Sequence, residues 1–261
     1  MSAAPSARSF VHAGGHRLEV ERIAGGRSGG PVLVLLHEGL GSVAMWRDFP
    51  MRLAHATGNE VIAYSRHGYG RSDPLTAPRS VRYMHDEALI VLPQLLDALD
   101  VPAPILIGHS DGASIALLHA GARVRRVYGV VALAPHVMVE DISIRSIEAA
   151  RESYATGDLR GRLARHHADV DSAFRGWNDI WLDRAFRSWN IEGCLPAIAC
   201  PVLAIQGHDD PYGTLEQVDR LARAVADVEV LALENCGHSP HRDHEEVVTA
   251  AITRFCNRIA G

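Results

Sequence analysis

One short segment of this sequence combines a nucleophile with the residue types that would expose it. Residues 108–112 (Gly-His-Ser-Asp-Gly) follow the apolar residues 105–107 and precede a small, apolar stretch at 113–120. A strand, a sharp turn and a helix would place Ser110 at the apex of the turn, since the flanking glycines allow strand and helix to approach closely. The N–H of Asp111, at the start of the helix, would then face a substrate oxygen. The pattern predicts a serine nucleophile at a nucleophile elbow.

The same five-residue pattern occurs a second time, at residues 26–30 (Gly-Arg-Ser-Gly-Gly). In a glycine-rich chain such a match arises readily by chance. This copy comes before a strand-like run and has no helical pattern after it, so the context around Ser28 predicts a flexible turn. The surrounding elements therefore select Ser110 over Ser28.

The rest of the chain supplies alternating strands and helices that could position such a serine. Continuous apolar runs are typical of strands buried on both faces of a parallel sheet, and spacings of three and four residues indicate helices. The chain is predicted to form an N-terminal hairpin at 10–23, strands at 32–36, 61–64, 104–107, 127–133, 201–205 and 228–233, and helices at 86–99, 113–120, 215–225 and 245–259. This alternation predicts an α/β fold with a mostly parallel central sheet and helices on both faces. Pro93, inside the predicted helix 86–99, is expected to kink it.

One stretch interrupts the alternation. Residues 136–198 show no strand pattern but contain helical segments and three of the four tryptophans. The stretch is too long and too apolar for a loop, which predicts a helical cap inserted into a core made of residues 1–135 and 199–261. Trp177 and Trp181 are candidates for contact with a substrate. Alternatively, these tryptophans pack only the interior of the cap.

Two further polar segments come directly after predicted strands, and with Ser110 they resemble the α/β-hydrolase superfamily over nearly the whole chain. Residues 206–210 (Gln-Gly-His-Asp-Asp) follow the strand at 201–205, and residues 235–238 (Asn-Cys-Gly-His) follow the strand at 228–233. The resemblance implies the chain order serine, acid, histidine. It assigns Ser110 as nucleophile, His238 as general base and Asp210 as the acid that orients the base.

The acid and the base each have a neighbouring alternative. Asp210 is preferred because relatives place the acid three residues after the glycine of this segment, but Asp209 stays open. His241 is the rival of His238 within the histidine-rich run 238–244. That run could also suggest a metal site, but no second ligand cluster with suitable spacing accompanies it, so no metal is expected.

The resemblance also implies a second oxyanion donor, in the loop that follows the first buried strand. Matching the positions of residues 37–42 to the family assigns the N–H of Gly39 to the oxyanion hole beside that of Asp111. Glu38 departs from the family pattern, where glycine is usual. A carboxylate about 5 Å from a developing oxyanion costs about 3 kcal/mol at an effective dielectric near 20. Glu38 must therefore point away from the oxyanion, pair with an arginine or be protonated. We expect it to pair with a cation, with Arg66 as the proposed partner, and to shape the loop; Glu38 is also a candidate for contact with a substrate.

Composition excludes several classes of function. The net charge of −5 and the absence of a basic run argue against a nucleic-acid surface. All 26 basic residues are arginine, so Schiff-base chemistry by a lysine is excluded. The four cysteines lack paired spacing, and no apolar stretch reaches 18 residues, which together predict a cytoplasmic protein without membrane contact. No cofactor is implied, and the expected partner is a small-molecule substrate; a homo-oligomer is possible.

These observations predict a serine hydrolase that cleaves an ester, thioester or lactone of a small carboxylic acid through an acyl-enzyme. One alternative is carbon–carbon bond hydrolysis of a ring-cleavage diketone, as carried out by similar capped members of the superfamily. Another, from a different class, is a ligand-binding or signalling protein that keeps the fold with little turnover.

Overall fold

An eight-stranded sheet forms the centre of the protein, and residues 6–27 and 29–260 are described by its computed structural model. The strand order is β1-β2-β4-β3-β5-β6-β7-β8. β1 and β2 form the N-terminal hairpin, and β2 also runs antiparallel to β4; every later pairing is parallel. The strands are β1 (Ser6–Ala13), β2 (His16–Ile23), β3 (Leu33–Leu36), β4 (Val61–Tyr64), β5 (Ile105–His109), β6 (Gly129–Leu133), β7 (Val202–Gly207) and β8 (Val228–Leu233). The predicted fold class is confirmed.

Helices cover both faces of this sheet. They are α1 (Phe49–Thr57), α2 (Tyr83–Asp86), α3 (Leu92–Ala98), α4 (Asp111–Ala122), α5 (Asp141–Thr156), α6 (Leu159–Leu163), α7 (Val170–Trp181), α8 (Glu216–Ala224), α9 (Pro240–Asp243) and α10 (Glu245–Ala260). Alternate residues of β3 enter different cores: Val34 and Leu36 pack with α3 and α4, whereas Leu33 and Leu35 pack with α1 and α10. Burial on both faces explains why the strand is a continuous apolar run.

The parallel register brings the ends of the strands to one edge. Leu36, the last residue of β3, pairs with Gly108 near the end of β5. Gly207 pairs with Leu233, so β7 and β8 also end at the same level. Because parallel strands all point the same way, the loops that follow these four strands converge at that edge, where ligand sites of open α/β sheets form.

The predicted helix at 86–99 is broken into three parts. α2 passes into a π-helical turn at Glu87–Val91, and α3 follows with Pro93 as its second residue. Proline has no N–H to donate and crowds the preceding turn, so the hydrogen-bond pattern widens there. The effect of Pro93 on the helix is therefore seen in the turn that precedes it, at Glu87–Val91.

Residues 136–198 hold α5, α6 and α7 with two 3₁₀ segments, and one isolated antiparallel bridge joins Met138 to Asn190. Their helical character agrees with the sequence pattern, while the boundaries of the cap stay a prediction. In the part of the chain that is described, no helix combines the length and apolarity required to cross a membrane. The second serine motif centres on Ser28, which lies outside the described residues.

Candidate active site

Ser110 occupies a strained turn between β5 and α4. Its backbone has φ 54° and ψ −119°, a region that side chains other than glycine rarely adopt. A Cβ on Gly112 would collide with the carbonyl of Leu36, and one on Gly108 would meet the backbone of the helix. The glycines therefore allow the tight crossing that the strained serine requires, as the elbow pattern predicted.

A buried carboxylate, Asp210, pairs with the partly exposed imidazole of His238. His238 Nδ1 lies 2.9 Å from Oδ1 and 2.8 Å from Oδ2 of Asp210. The carboxylate also accepts hydrogen bonds from the N–H of Tyr212 at 2.7 Å and from Gln206 Nε2 at 2.7 Å. Burial alone would raise the pKa of Asp210, but these donors, His238 above all, hold that pKa below its usual value. The exposed Asp209 makes no such contact in the described structure, so the geometry favours Asp210.

The histidine is brought to the serine turn through the neighbouring residue. His109 Nε2 lies 2.6 Å from the main-chain oxygen of His238, and the two rings have centroids 5.1 Å apart. Tyr212 packs against the other side of His238, with ring centroids 4.7 Å apart. No hydrogen bond joins Ser110 Oγ to His238 in the described part of the chain. Contacts of this kind often tighten only when substrate is bound.

Two main-chain N–H groups lie in the loops that follow the paired strands β3 and β5, at the edge of the sheet where Ser110 stands. Asp111 is the first residue of α4, where an N–H has no acceptor within its own helix. The N–H of Gly39 makes no hydrogen bond with any described residue. Free N–H groups near a nucleophile are what an oxyanion hole requires.

The loop that carries Gly39 is fixed through the carbonyl oxygen of Glu38. This oxygen accepts hydrogen bonds from Gly41 N–H at 3.0 Å, Arg66 Nη2 at 2.9 Å and His37 Nδ1 at 2.6 Å. His37 Nε2 in turn accepts from the N–H of Arg66, so His37 is a neutral imidazole with its proton on Nδ1. Burial, followed by the charge of Arg66, lowers the pKa of His37 well below its usual value, which agrees with that assignment.

The expected pairing of the Glu38 carboxylate with Arg66 is wrong. The Arg66 side chain donates to the main chain of Glu38, whereas the carboxylate Oε2 lies 3.4 Å from His109 Nδ1. Burial opposes ionisation of Glu38, but His109 and His37 outweigh it and hold the pKa of Glu38 well below its usual value. The guanidinium of Arg66 instead forms an ion pair with Asp111, with 3.5 Å between Arg66 Nη2 and Asp111 Oδ2.

The side chain of Asp111 connects the serine turn to α7. Tyr83 donates its hydroxyl to Oδ2 at 2.7 Å, and Trp181 Nε1 lies 3.2 Å from Oδ1. Trp181, 1% exposed, therefore uses its only polar atom on the protein itself. Trp177 is placed differently, because its indole lies directly over Gly39, where an added Cβ would collide with it. Both tryptophans reach the site, by contacts of different kinds.

Sequence reasoning overlooked two residues that border His238. His136 follows β6 at the same edge of the sheet, and its ring lies 5.9 Å from that of His238 and 5.0 Å from that of Trp181. Burial, together with the neighbouring His238, lowers the pKa of His136 to about 4, so it is neutral near pH 7. Tyr212 is the other. Their positions just after strands β6 and β7 are the signal that could have identified them.

The histidine-rich run 238–244 does not converge on one point. His241 is buried against Trp46 and Phe49, while His244 Nε2 lies 3.2 Å from the main-chain oxygen of Asn235. Within residues 6–27 and 29–260, no three His, Cys, Asp or Glu side chains are grouped so as to hold a metal ion. The rival base His241 has no contact with Asp210 in that part of the chain.

Comparison with known proteins agrees with this architecture. A protein of Variovorax paradoxus assigned as the carbamate hydrolase RutD is 28% identical over 253 residues, 87% of this chain and 92% of that protein. The 2-hydroxy-6-oxononadienedioate/2-hydroxy-6-oxononatrienedioate hydrolase of Paraburkholderia xenovorans is 24% identical over 254 residues, 87% of each. The crystal structure of VinJ matches with a TM-score of 0.76 at 24% identity, covering 98% of this chain and 99% of that one. A family model described as the alpha/beta hydrolase family matches residues 33–251, and the chain belongs to that family.

Proposed function

We propose that this protein is a serine hydrolase that cleaves an ester, thioester or lactone of a small carboxylic acid through an acyl-enzyme on Ser110. The observation that carries the proposal is the hydrogen-bonded Asp210–His238 pair, held against a serine turn at positive φ. The free N–H groups of Gly39 and Asp111 support it, because the loops that carry them follow the neighbouring strands β3 and β5 and both groups lack protein acceptors in the described structure.

In this mechanism His238 Nε2 removes the proton of Ser110 as Oγ attacks the substrate carbonyl. Asp210 keeps the other proton of the imidazole on Nδ1 and stabilises the cation that forms. The oxyanion of the tetrahedral intermediate accepts hydrogen bonds from the N–H groups of Gly39 and Asp111. When the intermediate collapses, the leaving oxygen or sulfur takes the proton from His238. A water molecule, deprotonated by the same histidine, then attacks the acyl-enzyme and releases the acid.

The cap tryptophans receive separate roles in this proposal. Trp177 bounds the acyl site, since its indole covers Gly39 and its Nε1 has no protein partner among the described residues. Trp181 acts through Asp111, because its N–H is already committed there. A bulky indole so close to an oxyanion donor restricts the space next to the carbonyl carbon. We therefore place short acyl groups first among substrates.

A second candidate function is hydrolysis of a carbon–carbon bond in a ring-cleavage diketone. The observation that favours it is the similarity, over 87% of this chain, to the Paraburkholderia xenovorans protein, which is named as a hydrolase of a 2-hydroxy-6-oxo dienedioate. The two candidate functions can be distinguished by their substrates, because a simple ester requires no ketonisation step before the serine attacks.

A fluorophosphonate probe tests the nucleophile directly. The wild type, Ser110→Ala and Ser28→Ala are labelled in parallel, and turnover of p-nitrophenyl esters from acetate to octanoate is measured. Ser28→Ala is the matched control, because it removes the serine of the second pentapeptide. We expect labelling to be lost only in Ser110→Ala, with turnover highest for short esters.

Other results point elsewhere. Labelling of Ser110 without ester turnover favours the carbon–carbon candidate, which is then assayed with a dienol diketone by loss of its ultraviolet absorbance. Equal labelling of wild type and Ser110→Ala, or none, refutes the serine mechanism and favours a ligand-binding protein.

A further inference from the structure

A second carboxylate–imidazole pair lies beside the catalytic one. Glu38 Oε2 is 3.4 Å from His109 Nδ1, and His109 Nε2 is 2.6 Å from the main-chain oxygen of His238. Glu38 belongs to the loop of the proposed oxyanion donor Gly39, and His109 directly precedes the nucleophile. The pair therefore links three parts of the site: the oxyanion loop, the elbow and the loop of the general base.

The hydrogen bonds of His109 restrict where its protons are. A main-chain oxygen can only accept, so Nε2 at 2.6 Å must carry a proton and donate it to His238. In a neutral ring Nδ1 would then present a lone pair towards the carboxylate of Glu38. Two acceptors facing each other in a buried setting repel, and no described residue supplies Nδ1 with another hydrogen bond. A second proton between Nδ1 and Oε2 removes this conflict.

We infer that Glu38 and His109 share that proton in the active enzyme, forming a pair with no net charge that positions His238 and shields the oxyanion hole. The inference rests on the proposed serine mechanism. Glu38 and His109 are positioning residues here, since neither is assigned contact with the reacting atoms. It also explains how a glutamate can stand in a loop position where the family usually has glycine.

The surroundings of the pair are mixed in charge. Arg66 is on the carbonyl side of Glu38, where it pairs with Asp111. Arg242 also faces the Glu38 carboxylate, but its Nη2 donates to the main chain of Met45 at 2.7 Å. The ring of His241 lies 5.0 Å from that of His109. The titratable or charged groups that face the pair are His37, Arg66, His167, His238, His241 and Arg242.

Because of the shared proton, the reaction rate is expected to fall at alkaline pH. A mechanism that needs an unprotonated general base also has an acid limb. As the pH rises, loss of the shared proton leaves Glu38 as an uncompensated anion beside the oxyanion hole. A unit charge about 5 Å from the oxyanion, at an effective dielectric near 20, slows its formation about 100-fold.

The rate of fluorophosphonate labelling of Ser110 measures this effect without knowledge of the natural substrate. Its second-order rate constant is followed from pH 5 to pH 10 in wild type, Glu38→Gln, His109→Gln and the double variant. Glu234→Gln is the matched control, because Glu234 forms an exposed carboxylate–histidine pair of the same kind with His208 at 3.3 Å. Thermal unfolding verifies that each variant is folded.

We expect a bell-shaped profile for wild type and Glu234→Gln, and loss of the alkaline limb in Glu38→Gln. His109→Gln keeps a donor for the His238 carbonyl but cannot hold the charge, so its rate should fall about 100-fold near neutral pH. Adding Glu38→Gln to it should restore most of that rate, because the uncompensated anion is removed. A purely structural role would instead make the two losses add.

Superimposable profiles of wild type and Glu38→Gln, or no recovery in the double variant, overturn the inference while leaving the serine mechanism intact. Equal labelling of wild type and Ser110→Ala refutes the mechanism itself. If His109→Gln does not fold, the ¹⁵N spectrum of His109 decides: two protonated nitrogens are expected in wild type and one in Glu38→Gln.

Discussion

The contact between Gly39 and the cap allows the oxyanion loop to be displaced by a single methyl group. A Cβ on Gly39 would overlap the indole of Trp177, with 3.0 Å to its Cε2 and shorter approaches to two other ring atoms. Carbon atoms in contact are normally 3.5–4.0 Å apart, so the loop or the indole must move by about 1 Å. Glu38, one residue earlier, is held by three hydrogen bonds on its carbonyl, and α7 is held by its own packing. Neither the loop of Gly39 nor α7 can therefore move without losing contacts.

We expect Gly39→Ala to lower kcat for p-nitrophenyl acetate by about 10²–10³-fold, the value of one oxyanion donor. KM should change much less, because the donor acts mainly on the transition state. Gly161→Ala is the control: this cap glycine lies in α6 with open space around its Cα. It should retain full activity and gain up to about 1 kcal/mol in unfolding free energy.

A second substitution identifies the cause. Trp177→Leu removes the ring that the new methyl group meets, so Gly39→Ala/Trp177→Leu should be more active than Gly39→Ala alone. Steady-state kinetics and urea unfolding of the three variants are compared with wild type. Wild-type kcat in a folded Gly39→Ala variant would refute the reasoning, since either the contact or the donor would then be unimportant.

Two further predictions follow from the same site. Asp210→Asn should lower kcat about 10⁴-fold, as expected when the orienting acid loses its charge. Asp209→Asn alters an exposed side chain, so its kcat should stay near that of wild type. Comparable losses of kcat in both variants would contradict the assignment of the acid. Trp181→Phe removes the N–H that contacts Asp111 and Tyr83. It should lower the unfolding free energy measured in urea by about 1.5–3 kcal/mol, the range for hydrogen bonds to charged groups. An unchanged urea midpoint would show that the hydrogen bonds of the indole N–H contribute nothing to stability.

Most of the sheet and the members of the proposed triad could be predicted from the sequence, for one physical reason. Strands buried on both faces are continuous apolar runs, and residues following such runs must meet at one edge of a parallel sheet. β4 and β8 have the predicted bounds, and Ser110, Asp210 and His238 each follow or end a strand at that edge. The sequence pattern therefore predicts both the strands and the meeting of the three residues at one edge of the sheet.

The partner of Glu38 could not be predicted in the same way. Arg66 was the proposed cation, and it does approach Glu38, but through the main chain. Which group meets the carboxylate depends on side-chain direction within a loop, and no periodicity encodes that direction. The contacts of His109 could not be predicted for a similar reason. Its place inside the elbow pattern suggested no contact of its own, yet it faces both Glu38 and the His238 carbonyl.

The helical stretch 136–198 reaches the candidate site through α7. Trp177 and Trp181 are four residues apart on α7, so they lie on the same helix face. One indole covers Gly39 and the other is hydrogen-bonded to Asp111, the two residues proposed as oxyanion donors. In the proposed mechanism a displacement of α7 therefore disturbs both donors together, even though neither tryptophan carries out chemistry. Specificity and oxyanion geometry are then coupled in this protein, because the indole that limits acyl size also packs on the loop that binds the charge.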